Sequence, residues 1–194
     1  MIAWGPQTAL IVVDVQNDFA DPGGSLSVAG GAAIIPLVNA QVVAARAAGA
    51  LVAYTQDWHP ERTPHFVTDG GPWPVHCVAD TWGAALHPDL LVDGPIVWKG
   101  ANGEDGYSGF TMRDPTGDAT VPTELAGLLR GRGVEAVVVC GLATDYCVAA
   151  TALDAVSLGF ATSLLLDGVR AVDLAPGDGD RAIERMAAAG VALV

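Results

Sequence analysis

The sequence predicts an α/β fold of three layers, α/β/α, built on a mostly parallel, doubly wound sheet. Short β-rich runs alternate with alanine-rich stretches long enough for helices, the pattern of successive βαβ units. The first apolar run, Thr8 to Val13, is continuous rather than alternating, as a strand buried on both faces requires. Glycines stand where the helical stretches should stop. With 194 residues, 51% of them hydrophobic, one domain spanning residues 1–194 can bury a core without staples.

The elements follow in order. After the strand Thr8 to Val13, ending at Asp14, residues Ala32 to Ala48 read as a helix with Gly49 at its stop, and Leu51 to Thr55 as a second strand. The segment from Trp58 to Asp93 is rich in Pro, Gly, His and Trp and has no period; a loop of that length in a compact domain usually carries function. Pro95 to Trp98 is a third strand, Thr123 to Leu129 a helix and Glu135 to Cys140 a fourth strand. Asp145 to Leu158 is helical and closed by Gly159, Ala161 to Leu166 is a fifth strand, Arg181 to Ala189 a last helix and Val191 to Val194 a terminal strand. Val172 to Gly179 reads as a surface turn.

A formal charge of −13 argues against nucleic acid and anionic membrane as partners, since both need basic patches. No stretch is long enough to span a bilayer, and Met1 to Gln7 lacks the basic region and cleavage site of a signal peptide. Three cysteines make a disulfide framework improbable and suggest a reducing, cytoplasmic setting with free thiols. A homo-oligomer is left open.

In parallel sheets ligands gather outside the carboxyl ends of the strands. Asp14, Lys99 and, one short loop beyond the fourth strand, Cys147 occupy such positions. Lys99 is the only lysine in the chain; the other eight Lys plus Arg residues are arginines. It is either a positioned charge or a solvated strand end in an arginine-biased sequence. Cys147, where the segment Gly141 to Cys147 enters a helix, is either a nucleophile or a small core residue. As a nucleophile its thiolate would gain from the helix dipole and a nearby ammonium. Asp14 is either a base or a turn cap, while Asp18 and Asp21 are better read as caps. Cys140 falls inside an apolar strand and reads as structural, and Cys77 as packing or a support beside His76.

All four histidines lie between residues 59 and 87. Asp57 and His59, two apart, point to one side of an extended segment, and His65 and His76 follow in the same loop. One Asp with three His suits one divalent ion such as Zn, Fe or Mn. His87 reads as a structural hydrogen-bonding residue.

Taken in order, Ala9 to Phe19 with Asp14, Asp57-Trp58-His59, His65-Phe66, Trp73-Pro74-Val75-His76-Cys77, Lys99-Gly100, Tyr107-Ser108-Gly109-Phe110 and Gly141 to Cys147 resemble the nicotinamidase branch of the isochorismatase-like cysteine hydrolases. The resemblance implies the isochorismatase-like hydrolase fold. It also implies Asp14 as base, Lys99 as the charge supporting base and thiolate, and Cys147 as nucleophile. Asp57, His59, His65 and His76 match the metal positions. The resemblance further implies a cis peptide before Ala143, an oxyanion hole from the N–H groups of Ala143 and Cys147, and a pocket of Phe19, Trp73 and Tyr107, with Leu142, for a flat pyridine ring. The stretch Gly100 to Gly106 departs from the pattern in being acidic and glycine-rich.

The implied reaction is hydrolysis of nicotinamide to nicotinic acid and ammonia through a cysteine thioester, with pyrazinamide as a second substrate and NAD salvage as the setting. Two rivals stand beside it. One is a sister cysteine amidohydrolase acting on a carbamoyl or ureido substrate, in which a metal that grips a ring nitrogen would have no use. The other is a catalytically silent binding domain, which predicts a broken triad.

Overall fold

The computed structural model describes residues 2–114, 117 and 119–194. Strand β1 (Thr8–Val13) is followed by a four-residue helix α1 (Asn17–Ala20), a 3₁₀ turn (Gly31–Ile34) and helix α2 (Ile35–Ala47). Then come β2 (Leu51–Asp57), β3 (Ile96–Lys99), a short hairpin β4 (Thr111–Arg113) and β5 (Thr120–Pro122), helix α3 (Leu125–Gly131) and β6 (Ala136–Leu142). A π-helical turn (Thr144–Val148) leads into α4 (Ala149–Ser157), and β7 (Ala161–Arg170), α5 (Asp178–Ala188) and β8 (Ala192–Leu193) complete the chain.

Six strands form one sheet in the order β3-β2-β1-β6-β7-β8, every pair parallel. The chain winds outward from β1 through β2 to β3, then returns to the other side of β1 and winds through β6 to β8. The carboxyl ends of β1 and β6 therefore flank the switch point where such sheets bind ligands. Because strand side chains alternate, Ala9, Ile11 and Val13 of β1 face one core, with Leu125, Leu129, Ala152 and Met186 from α3, α4 and α5. Leu10 and Val12 face the other, with Val38 and Val42 of α2. Burial on both faces is why β1 is a continuous apolar run. Among the described residues no helix is long and apolar enough to cross a membrane.

The differences from the sequence reading are local. The expected helix from 32 to 48 begins as a 3₁₀ turn, and its α-helical part starts with Pro36 in the first turn, where a missing N–H costs nothing. Strands β2 and β6 run two residues further than expected, carried by ladder pairing rather than by apolar sequence. The expected helix from Asp145 opens as a π-helical turn, with the Val148 N–H bonded to the Ala143 carbonyl at 3.1 Å. The β4–β5 hairpin and α1 had no apolar pattern to announce them. Between Trp58 and Asp93 the only regular turn is the 3₁₀ segment Val67–Asp69, with isolated bridges joining His59 to Val78 and Phe66 to Trp73.

Candidate active site and metal centre

Lys99 ends β3 and is fully buried. Its ammonium lies 2.7 Å from Asp14 Oδ2 and 3.8 Å from Cys147 Sγ, and it donates to Asp57 Oδ1 and to the Gly106 carbonyl. The alternative of a solvated strand end is thereby excluded. Burial opposes the charge on Lys99, but Asp14 and Asp57 outweigh it and hold the ammonium well above the usual lysine range.

Asp14 sits one residue past β1 at φ 48°, a left-handed conformation uncommon outside glycine. Its Oδ1 accepts from Thr55 Oγ1 at 2.7 Å. Its approach to Lys99 is an ion pair without hydrogen-bond alignment, so Oδ2 keeps lone-pair capacity for a proton. Burial raises its carboxyl to about 6 despite the neighbouring ammonium. One ligand atom each of Asp14, Asp57 and Cys147 lie within 4.8 Å of one another.

The thiol of Cys147 differs from the sequence expectation. Burial pushes its ionisation well above the ordinary range, and the lowering effect of Lys99 does not compensate because Asp14 and Asp57 push the same way as burial. A single ammonium already faces two carboxylates, and a thiolate would add a third anion. The thiol therefore rests protonated beside a carboxylate able to take the proton. Cys147 lies in the π-helical turn, whose neighbours Tyr146 and Val148 both donate their N–H to the Ala143 carbonyl, at 3.1 Å each. The Leu142–Ala143 peptide is cis, as the resemblance implies.

His59, His65 and His76 converge, with one nitrogen of each within 4.8 Å of the others. These three fit a divalent metal. Neither ring nitrogen of His59 has a hydrogen-bond partner although the residue is fully buried. His76 Nδ1–H donates to the Pro74 carbonyl at 2.7 Å, which leaves Nε2 as a lone pair. Burial holds His59 and His65 at about 3, so both present neutral imidazoles. Asp57 stands at the border of the cluster, one oxygen on Lys99 and the other 3.8 Å from His59 Nε2. It is placed to belong to both groups.

The cleft above these residues is lined by Phe19, Trp73, Tyr107, Tyr146, Ala143 and Cys147, among others. Trp73 Nε1 donates to Tyr107 Oη at 2.8 Å, and Tyr146 meets Trp73 edge-on at 4.8 Å between ring centroids. Leu142, expected in this pocket, is instead fully buried in the opposite core with Val138 and Cys140, because it shares their parity on β6. Sequence reasoning missed Tyr146, whose place in the turn became visible only with the π geometry.

It also missed Gln16. The Gln16 side chain accepts from Asp57 N–H and donates to the Asp57 carbonyl, at 2.8 Å each, and so fixes the backbone of the shared carboxylate. Asp18 is a buried clamp, its two oxygens accepting from Ser25 N–H at 3.0 Å and Cys77 N–H at 2.7 Å. His87 Nδ1 accepts from Asp89 N–H at 3.2 Å, the structural role expected of it. The glycines of the departing loop have a reason as well. A Cβ on Gly100 would come within 2.5 Å of His59 Cε1, and one on Gly106 within 3.0 Å of Asp57 Oδ1, both at positive φ.

An isochorismatase domain family model matches residues 8–194. The chain is 45% identical over 166 residues to the nicotinamidase/pyrazinamidase of Mycobacterium tuberculosis, covering 82% of this chain and 84% of that one. Among solved structures, the pyrazinamidase of Pyrococcus horikoshii in complex with zinc is 46% identical with a TM-score of 0.87, covering 97% of this chain and 99% of that one. PnC1 from L. infantum in complex with nicotinate is 40% identical with a TM-score of 0.90, covering 100% and 95% respectively.

The histidine cluster predicts one equivalent of a tightly bound divalent metal ion per chain, measured by competition with a chromogenic chelator. His59→Ala should weaken it by about 100-fold or more. Wild-type affinity in that variant would contradict the assignment.

Proposed function

The chain belongs to the isochorismatase family, and on that premise we propose that it hydrolyses nicotinamide to nicotinic acid and ammonia, with pyrazinamide as a second substrate. One observation carries the reading: a buried Lys99 ammonium that binds Asp14 and faces the Cys147 thiol on the floor of an aromatic cleft, beside three converging histidines. Residues 1–194 are read as one domain, supported by a single sheet that contains both the first and the last strand.

The substrate ring lies among Phe19, Trp73, Tyr107 and Tyr146, with its carboxamide toward Cys147. His59, His65, His76 and Asp57 would hold a divalent metal, which would supply Lewis-acidic attraction for a ring nitrogen; the zinc of the P. horikoshii relative supports zinc over iron or manganese. Asp14 takes the Sγ proton as sulfur attacks the carboxamide carbon. The ammonium of Lys99 stays protonated and limits the cost of charge moving from carboxylate to sulfur. The oxyanion is met by the N–H groups of Ala143 and Cys147, an interaction of about 3 kcal/mol per donor in comparable sites. The C–N bond breaks as Asp14 returns its proton to nitrogen, and ammonia leaves. Water then gives a proton to Asp14 and its oxygen to the thioester carbon, and the departing sulfur recovers the proton from Asp14.

A ureido substrate has no aromatic nitrogen, so the histidine cluster would be idle and the aromatic walls unmatched. A silent binding domain has no need of a buried Lys99 placed between carboxylate and thiol.

Ammonia release from nicotinamide should fall by about 1000-fold or more in Cys147→Ala; full activity in that variant would contradict the mechanism. Asp14 acts only when ionised, and its carboxyl lies at about 6. In the zinc-loaded enzyme kcat/KM should therefore drop about tenfold per unit as pH falls below that value. A profile flat to pH of about 5 would exclude Asp14 as the base.

A further inference from the structure

The segment Gly100-Ala101-Asn102-Gly103-Glu104-Asp105-Gly106 carries two acids that the reaction does not use. Their carboxylates go different ways. Glu104 is buried and closes on its own loop, accepting from Asn102 N–H at 2.8 Å and from Asn102 Nδ2 at 3.1 Å. Asp105 lines the catalytic cleft together with Trp73, Tyr107 and Cys147. It is pinned to β4 from both sides: its N–H donates to the Arg113 carbonyl at 3.1 Å, and its Oδ1 accepts from Arg113 N–H at 3.1 Å.

The Arg113 guanidinium does not cancel this charge. It reaches Asp105 Oδ2 only through Nε at 3.7 Å, and its side chain is 62% exposed. A single solvated contact of that kind leaves most of a carboxylate's field in place. Tyr107 shares the cleft wall with Asp105, and its phenol ionisation is raised by burial, lowered by the Trp73 hydrogen bond and raised in smaller part by the Asp105 charge. Deeper in the site, the Lys99 ammonium is committed to two carboxylates.

We propose that Asp105 is a specificity-determining residue, a fixed negative charge on the cleft wall that favours neutral aromatic amides over the carboxylates formed from them. The proposal rests on the amidase reading, in which a neutral amide enters and an anion of nearly the same shape leaves. Shape cannot separate two such isosteres. Charge can, by placing a like charge against the unwanted one. The acidic departure of this loop thereby gains a role in product release.

The test uses zinc-loaded enzyme and compares the inhibition constant of nicotinate with the KM of nicotinamide. Asp105→Asn keeps the size of the side chain and the acceptor for Arg113 N–H. The ratio of inhibition constant to KM should fall by about three- to tenfold at low ionic strength. That fall should shrink in about 0.5 M salt, where charges are screened within a few ångströms. Asp89→Asn removes the same charge from a carboxylate that is 82% exposed and should keep the wild-type ratio. An unchanged ratio in Asp105→Asn, or an equal fall in Asp89→Asn, overturns the proposal alone. Failure of the wild-type protein to release ammonia from nicotinamide overturns the amidase reading and the proposal with it.

Discussion

Everything chemical in this protein depends on one buried ammonium held between two buried carboxylates. Lys99, Asp14 and Asp57 come from the ends of three neighbouring strands, and each is almost wholly removed from water. Isolated, any one of them would lose its charge or unfold the site, because burying an unpaired ion costs several kcal/mol. Together they carry one excess negative charge. Burial first, and the neighbouring carboxylates after it, make a further anion hard to form, so the Cys147 thiol stays protonated at rest and Asp14 rises to about 6 despite the ammonium. The site holds a carboxylate beside a neutral thiol instead of a standing ion pair of thiolate and lysine.

Asp57 extends this constraint to the rest of the site. One oxygen serves Lys99 and the other borders His59, so the charge cluster and the histidine cluster share a residue. The sharing is rigid because Gln16 grips the Asp57 backbone in both directions. The glycine-rich loop after Lys99 packs against the same pair, with the Gly106 carbonyl accepting from the ammonium and Gly100 leaving room for the His59 ring. Aromatic walls then rise above a site in which the Lys99 ammonium is fully engaged while Asp14 Oδ2 and both His59 ring nitrogens keep open valences.

Much of this was legible in the sequence because the central strands and the chemistry depend on simple patterns. A doubly buried strand must be uniformly apolar, which marked Thr8 to Val13 with the observed boundaries. Asp14, Lys99 and Cys147 stood at or just past strand ends, where a parallel sheet brings residues together. What escaped was set by tertiary contacts. Strand β2 runs on through polar Gln56 and Asp57 because β3 pairs with it there. Leu142 escaped because β6 runs two residues past Cys140 and its alternation turns Leu142 into the opposite core. Tyr146 looked like an ordinary helix residue until the turn before α4 widened to bring it beside Trp73. The thiol expectation failed for an energetic reason: burial together with two carboxylates outweighs one ammonium.

The central claim is tested most directly by a double-mutant cycle on stability, with Lys99→Met, Asp14→Asn and their combination compared by urea unfolding. If the ammonium exists to balance buried carboxylates, Lys99→Met alone should cost about 3–5 kcal/mol. Removing the Asp14 charge as well should restore part of that loss, giving a coupling of about 2 kcal/mol or more. Effects that add to within about 0.5 kcal/mol would contradict the account.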